Sequence, residues 1–131
     1  KKVIIYTLFV SLLNILEDYL IYKKYTYQRI DPGIASDRRQ NLVNKFKDTN
    51  IDECFIFISS TKTSGIGIDL VPTNVVILID SDWFPSINDS NKNIYVYRLI
   101  SRDTLEEYMY KYLQSKIVLT NMLRKKLNPT R

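Results

Sequence analysis

The chain has 131 residues, of which 45% are apolar and 25% charged, and its formal net charge is +5. This length and composition fit one globular domain with a single core, and the moderate positive charge is compatible with a polyanionic partner without requiring one. The lack of histidine removes the commonest member of Ser-His, Cys-His and zinc sites, and no apolar run approaches membrane-spanning length, so we expect no membrane partner.

The first part of the chain predicts a strand followed by a helix. The apolar run at residues 3–6 predicts the strand, which is already under way where the chain starts and so indicates a piece of a longer protein. Thr7 is placed to cap the helix, and Glu17 and Asp18 fall on the side opposite the helix's apolar residues. Those apolar residues are Phe9, Leu12, Leu13, Leu16, Tyr19 and Leu20.

A second strand and helix follow, separated by a turn. Residues 25–30 predict the strand, which Asp31-Pro32-Gly33 ends because proline and glycine interrupt regular structure. The next helix has Arg38 and Arg39 near its start, and these arginines could bind phosphate or could simply be solvated. The buried side of this helix is predicted to be Leu42, Val43 and Phe46.

Two buried strands are predicted in the centre of the chain. Residues 55–58 and 75–79 are short runs of β-branched, aromatic or other apolar residues, as expected for strands covered on both faces. Cys54, which is the single cysteine, stands directly before the first run. This position favours a packed thiol over a nucleophile, and the lack of a second cysteine indicates a reducing, intracellular compartment.

The loop between these two strands has the chemistry of an anion site. Ser59-Ser60-Thr61-Lys62 offers hydroxyls and a cation where a strand meets a helix, and backbone N–H groups at such a turn bind phosphate. The same residues could instead form a helix cap beside a surface loop. Gly65 and Gly67 allow a ligand to approach closely, or only permit a tight turn. Asp69 could accept a ribose hydroxyl, or be a capping or surface acid.

Acidic residues end the second central strand. Asp80 and Asp82 could bind a metal ion, but the pattern favours a turn at the strand end with Trp83 packed beneath it.

The rest of the chain continues the alternation. Residues 94–100 predict a strand, and Asp103 or Thr104 begins the last helix, with Glu106 and Glu107 in its first turn. Strands alternating with helices predict an α/β fold, in which an open parallel sheet has helices on both faces. In such sheets the binding site lies at the carboxyl ends of the strands.

Two linked motifs in the centre of the chain resemble those of a known family. The sequence SSTKTSGIGIDL, followed by VVILIDSDWFP, is similar to the fifth helicase motif and the next strand in the Swi/Snf branch of superfamily-two ATPases, the chromatin remodellers. The family's wording is close to S-T-R-A-G-G-x-G-I-N-L and D-x-D-W-N-P, and this chain departs from it at Thr63-Ser64, Asp69 and Phe84. Two motifs at the right separation are far more specific than a lone Gly-x-Gly.

The resemblance extends over nearly the whole chain. VIIYTLFVSLLNILEDYL resembles the family's fourth motif and its helix, and YQRIDPGIASDRRQNLVNKF resembles its tyrosine-arginine-leucine-aspartate-glycine stretch. YVYRLISRDTLEE is similar to the closing strand and the Thr-x-Glu-Glu helix start. The resemblance therefore implies that residues 1–131 are a second, C-terminal RecA-like lobe and a fragment of a larger chain.

The resemblance also implies roles for individual residues and for partners. The nucleic-acid-binding residues would be Asp31, Gly33, Arg39, Ser60, Thr61 and Lys62, and the nucleotide-binding residues would be Gly65, Gly67 and Asp69. The nucleotide would be ATP with Mg²⁺, held mainly by a first lobe, because the phosphate-cradling Gly-x-x-x-x-Gly-Lys-Ser/Thr loop is absent from this sequence. The implied partners are double-stranded DNA, in nucleosomes, and the N-terminal RecA-like lobe of the same parent chain, and the implied location is nuclear.

One motif of the family is missing. A sixth motif with two arginines would follow Pro85, but here Asn88-Asp89 is followed closely by Asn93-Ile94 without an arginine, so no catalytic residue is assigned. If a segment between Asp89 and Asn93 is omitted from this sequence, the parent is an ATP-dependent DNA translocase of chromatin-remodelling type. If the protein lacks that segment, it is a catalytically dead lobe that serves as a DNA- or protein-binding scaffold. An unrelated nucleotide-binding α/β domain fits only if the two motifs are coincidental.

Overall fold

The computed structural model describes residues 1–61, 75–80 and 94–127. The chain divides into two compact units, Lys1–Leu99 and Ile100–Arg131. In the described ranges, the first unit contains the sheet and two helices, and the second contains one long helix. Among the described helices, none combines the length and the apolar character needed to cross a lipid bilayer.

The described part of the first unit forms a five-stranded, all-parallel sheet with the strand order β2-β3-β1-β4-β5. The elements in chain order are β1 (Val3–Thr7), α1 (Val10–Tyr22), β2 (Tyr27–Ile30), α2 (Ser36–Asp48), β3 (Ile56–Ser60), β4 (Val75–Leu78) and β5 (Tyr95–Arg98). Parallel neighbours need a crossover between them, and α1 and α2 are two of these crossovers. The α/β class and the parallel sheet predicted from the sequence are confirmed.

The two helices cover opposite faces of the sheet. Successive side chains of a strand point to opposite faces, so neighbours along β1 belong to different cores. Ile4 lies in the same buried cluster as Val43 of α2, whereas Ile5 lies in the cluster that contains Leu13 of α1. The cluster on the α2 face is Ile4, Tyr6, Ile30, Val43, Phe46, Cys54, Phe57, Val76 and Leu78, and that on the α1 face is Ile5, Leu13, Leu20, Ile56 and Ile58. The predicted covering of both faces is therefore confirmed.

Helix α1 begins differently from the prediction. Thr7 was expected to cap it, but Thr7 is a fully buried residue of β1, and the N-cap residue of α1 is Phe9, which makes no side-chain capping bond. The Thr7 hydroxyl instead accepts a hydrogen bond from the Phe9 N–H at 3.2 Å. The reason is that β1 runs one residue further than its apolar run, since Thr7 pairs with Ser60 of β3.

Lys2 is a buried cation for which sequence analysis gave no role. Its side chain is only 5% exposed, and its ammonium group donates hydrogen bonds to the carbonyl oxygens of Phe46 and Lys47. Both carbonyls lie in the last turn of α2, where helix carbonyls lack partners within the helix and the helix dipole favours a positive charge. Lys2 therefore supplies hydrogen-bond donors to two carbonyl groups at the C-terminal end of α2.

The prediction that Cys54 is a packed thiol is confirmed. The residue is buried in the cluster on the α2 face, and its Sγ lies 3.6 Å from the carbonyl oxygen of Ile56. Burial raises the pKa of the Cys54 thiol, which disfavours the nucleophilic thiolate.

The second unit starts its helix where the sequence predicted. Helix α3 is Leu105–Leu127, and the Thr104 hydroxyl accepts a hydrogen bond from the Glu106 N–H at 3.3 Å. The Glu107 carboxylate accepts a bond from the Asp103 N–H at 3.1 Å. A hydroxyl and a carboxylate that bind free N–H groups are the usual partners at a helix start.

Candidate nucleic-acid interface

Several residues predicted to bind nucleic acid follow the ends of neighbouring strands. Because all the strands are parallel, their carboxyl ends lie along one side of the sheet, which we call the carboxyl edge. Ile30 of β2 pairs with Ser59 of β3, so Asp31 and Ser60 are the next residues on two strands about 4.8 Å apart. The structure therefore brings Asp31 and its turn to the same place as Ser60 and Thr61.

The turn after β2, residues 31–34, is held by its own aspartate. Asp31 Oδ1 accepts a hydrogen bond from the Gly33 N–H at 2.9 Å, and the Asp31 carbonyl accepts one from the Ile34 N–H at 3.2 Å. A Cβ atom at Gly33 would lie 3.1 Å from Asp31 Oδ1, which is closer than most real Cβ contacts. Because glycine has no Cβ atom, the Asp31 carboxylate can approach the Gly33 N–H closely. An aspartate side chain that binds the backbone two residues later is typical of such turns.

Arg39 joins this turn to the first part of α2. Its Nε donates to the carbonyl oxygen of Ile34 at 2.7 Å, and one terminal nitrogen donates to that of Pro32 at 3.3 Å. The structure thus brings the predicted residues Arg39, Asp31 and Gly33 together. It also gives Arg39 a positioning role that the sequence did not predict, and its contact with a phosphate stays a prediction.

A polar network behind the turn was not predicted from the sequence. Arg29 of β2 binds Glu17 of α1 through NH1 at 2.6 Å, and it binds Asp31 Oδ2 through Nε and NH2, each at 3.0 Å. The Tyr27 hydroxyl donates to the other oxygen of Glu17 at 2.8 Å. Burial, together with this bond to Glu17, raises the pKa of Tyr27 to about 12. Glu17 was expected on the outer side of α1, but it faces β2.

The sequence contained part of the information needed to predict this network. Tyr27 and Arg29 are two residues apart in a strand, so both point to the α1 face of the sheet. Glu17 is four residues after Leu13 and three before Leu20, so it lies on the same side of α1 as these two buried residues. The predicted apolar side was too wide, because Phe9 and Tyr19 are exposed, and it therefore placed Glu17 on the outer side.

The strand β3 extends further than predicted. Ser59 and Ser60, expected in a polar loop, are fully buried residues of the strand, because β1 continues to Thr7 and pairs with them. Thr61 is partly exposed, and its N–H donates to the Thr7 carbonyl at 2.9 Å. Among the predicted residues that follow β3, the described one with an accessible side chain is Thr61. Lys62, Gly65, Gly67 and Asp69 lie outside the described residues.

Asp80 has a structural role at the same edge. Its carboxylate accepts hydrogen bonds from the Thr7 hydroxyl at 2.6 Å and from the Leu8 N–H at 2.8 and 2.9 Å. These bonds join the end of β4 to the start of the β1–α1 connection. Within the described ranges, no cluster of three or more histidine, cysteine or acidic residues could hold a metal ion. Asp82 and Trp83 lie outside the described residues, as does the stretch from Asp89 to Asn93.

A parallel α/β sheet with helices on both faces and polar residues along its carboxyl edge is the architecture of a RecA-like lobe. The model of the family described as "Helicase conserved C-terminal domain" matches residues 1–99. The chain belongs to this family. The matched residues are the same as those of the first compact unit, which contains the whole described sheet.

Similar proteins place the chain in the Swi/Snf branch, as the resemblance implied. It is 37% identical over 137 residues to the CHD3-type chromatin-remodeling factor PICKLE of Arabidopsis thaliana, covering 96% of this chain and 10% of that protein. It is 32% identical over 132 residues to the chromatin-remodeling ATPase INO80 of Homo sapiens, covering 93% of this chain and 8% of that protein. The chain therefore spans about a tenth of the length of these relatives.

Solved structures of C-terminal ATPase domains have the same fold. The C-terminal part of the Fun30 ATPase domain aligns with a TM-score of 0.73 at 33% identity, covering 85% of this chain and 38% of that one. The Sulfolobus solfataricus SWI2/SNF2 ATPase C-terminal domain aligns with a TM-score of 0.73 at 28% identity, covering 88% and 48% respectively. The chain is thus a C-terminal helicase lobe of the Swi/Snf chromatin-remodelling type.

Proposed function

We propose that this chain grips the DNA backbone as the C-terminal lobe of an ATP-dependent DNA translocase that remodels chromatin. The observation that carries this proposal is the meeting of the 31–34 turn, Arg39 and Thr61 at the carboxyl edge of the sheet. The parent protein would act in the nucleus, on double-stranded DNA within nucleosomes.

The hydrogen-bonding chemistry of this edge suits a phosphate. Phosphate oxygens only accept hydrogen bonds, and Arg39 and the Thr61 hydroxyl are donors. The Asp31 carboxylate also only accepts, so its contribution is to shape the turn by binding the Gly33 N–H rather than to touch phosphate. Contacts to the backbone of DNA position a protein without reading its sequence, so binding would be independent of sequence.

ATP hydrolysis would couple to this grip through a second lobe. Gly65, Gly67 and Asp69 would face ATP and Mg²⁺ held mainly by the N-terminal RecA-like lobe of the parent chain. Closing of the two lobes over ATP and their reopening after hydrolysis would shift the phosphate contacts along the DNA.

The proposed grip is tested by salt-dependent DNA binding. We expect the chain to bind a short duplex weakly, with an affinity that falls steeply as salt rises, and Arg39→Ala to reduce the log–log salt slope by about one. Fluorescence anisotropy across a salt series measures both. Lys45→Ala is the matched control, because Lys45 is an exposed cation near the other end of α2, away from the carboxyl edge.

The control separates a local contact from general attraction. Equal slope changes for Arg39→Ala and Lys45→Ala would mean that only the total charge matters. An unchanged slope for Arg39→Ala would remove this residue from the interface.

A second function is favoured by one feature of the sequence. No arginine stands between Pro85 and Asn93, where the family has its two arginines. A lobe without them would lack the positive charge that stabilises the transferred phosphoryl group, and would serve as a DNA- or protein-binding scaffold. The sequence of the native gene between Asp89 and Asn93 decides between the two functions.

A further inference from the structure

We propose that Arg29 and Glu17 are positioning residues of the DNA interface, and that they hold the 31–34 turn in the conformation that meets the backbone. This inference rests on the proposed function. Neither residue belongs to the set predicted to touch nucleic acid.

A continuous series of contacts leads from α1 to the turn. Glu17 is held by Tyr27 and by Arg29, Arg29 binds Asp31, and Asp31 binds the Gly33 N–H. Each carboxylate thus has two different donors, one on each of its oxygens, and its orientation is fixed. The last group in the series is a backbone N–H of the turn itself.

The burial of the ion pairs makes them stronger than ordinary surface pairs. The side chain of Arg29 is 17% exposed, that of Glu17 is 30% exposed and that of Asp31 is 22% exposed. Exposed ion pairs contribute little because water screens them, whereas charge-assisted hydrogen bonds with restricted water access are among the stronger ones. The network can therefore hold the turn in place.

The geometry favours a positioning role for Arg29 over direct contact with phosphate. One terminal nitrogen binds Glu17, while Nε and the other terminal nitrogen bind Asp31. The guanidinium is thus occupied by carboxylates at both ends. A lysine would keep the charge but has no planar fork, so it could not hold both carboxylates in the same way.

The first measurement needs no DNA. We expect Arg29→Lys to increase the hydrogen-exchange rate of the Gly33 amide by about tenfold, because its acceptor Asp31 is no longer fixed. The exchange of the Val76 amide in β4 should not change, since β3 and β1 lie between β4 and the strand that contains Arg29. Arg102→Lys is the matched control, because Arg102 is 92% exposed and lies 3.9 Å from Asp103.

The second measurement uses duplex DNA. Arg29→Lys should weaken binding by about fivefold while leaving the salt slope unchanged, because the charge is kept and no phosphate contact is lost. Glu17→Gln should act in the same direction, and the double variant should be little worse than Arg29→Lys, since both break one network.

The outcomes separate this inference from the proposed function. Unchanged Gly33 exchange in Arg29→Lys, or faster exchange at Gly33 and Val76 alike, would overturn the positioning role. Faster Gly33 exchange with undiminished DNA binding would overturn the link between the turn and DNA. Absence of salt-dependent binding by the unsubstituted chain would contradict the proposed function, whereas the Gly33 exchange rate would still decide whether Arg29 holds the turn.

Discussion

At the scale of single residues, the buried cation Lys2 and the mostly buried cation Arg29 were the hardest to predict. Lys2 and Arg29 are polar residues in otherwise ordinary strand contexts, and nothing near them in the sequence names their partners. The partners lie far along the chain, at the end of α2 for Lys2 and on α1 for Arg29. Residues whose role depends on neighbouring sequence, such as Asp31 before Pro32-Gly33, were predicted correctly as turn formers.

Replacement of Lys2 tests the importance of its contact with α2. We expect Lys2→Met to lower the free energy of unfolding by about 1–3 kcal/mol, because the carbonyls of Phe46 and Lys47 lose a charged donor in a place that water reaches poorly. Urea unfolding measures this as a lower midpoint. The control is Lys45→Met, since Lys45 is exposed and its removal should change stability by no more than about 0.5 kcal/mol. Equal effects of the two substitutions would contradict the role of Lys2.

At the scale of elements, the sequence predicted well which segments are helices and which are strands, but it misplaced several of their ends. Periodicity identified the helices and strands because burial of one or both faces leaves a regular apolar pattern. It failed at the end of β3, where Ser59 and Ser60 are small enough to fill a buried position despite their hydroxyls. The start of α3 was predicted because its signal is local: Thr104 and Glu107 bind N–H groups within a few residues.

The start of α3 should depend on pH through Glu107. Its bond from the Asp103 N–H, and then its pairing with Lys111, lower the pKa of the Glu107 carboxyl below the usual value of 4.5. The stabilisation is therefore complete above that value and is lost as the pH falls through the lowered pKa. We expect the first turn of α3 to fray as the pH falls through this pKa. NMR would show the fraying as Cα chemical shifts of that turn moving towards random-coil values.

Glu107→Gln isolates this effect. The amide cannot titrate, so the pH-dependent part of the stability that belongs to Glu107 should disappear. Identical pH profiles for the two proteins would show that Glu107 does not stabilise the helix start.

At the scale of the whole molecule, alternation of strands and helices was enough to predict a parallel α/β sheet, because parallel strands require crossovers. The position of the candidate site followed from the same argument, since carboxyl ends of parallel strands share one edge. The division into Lys1–Leu99 and Ile100–Arg131 was not anticipated, because no proline-rich, glycine-rich or polar linker separates the two units.

The chain by itself should not hydrolyse ATP at a useful rate. Phosphoryl transfer needs a cradle for the β- and γ-phosphates and a site for Mg²⁺, and a Gly-x-x-x-x-Gly-Lys-Ser/Thr loop supplies the cradle in P-loop ATPases. In this sequence Lys62 precedes Gly65 and Gly67, which is the wrong order for such a loop. We expect phosphate release from ATP, Mg²⁺ and duplex DNA to stay at the background rate, and Lys62→Ala to leave it there. Turnover that copurifies with the chain and falls in Lys62→Ala would place the catalytic machinery within these residues and refute the assignment of ATP binding to a separate first lobe.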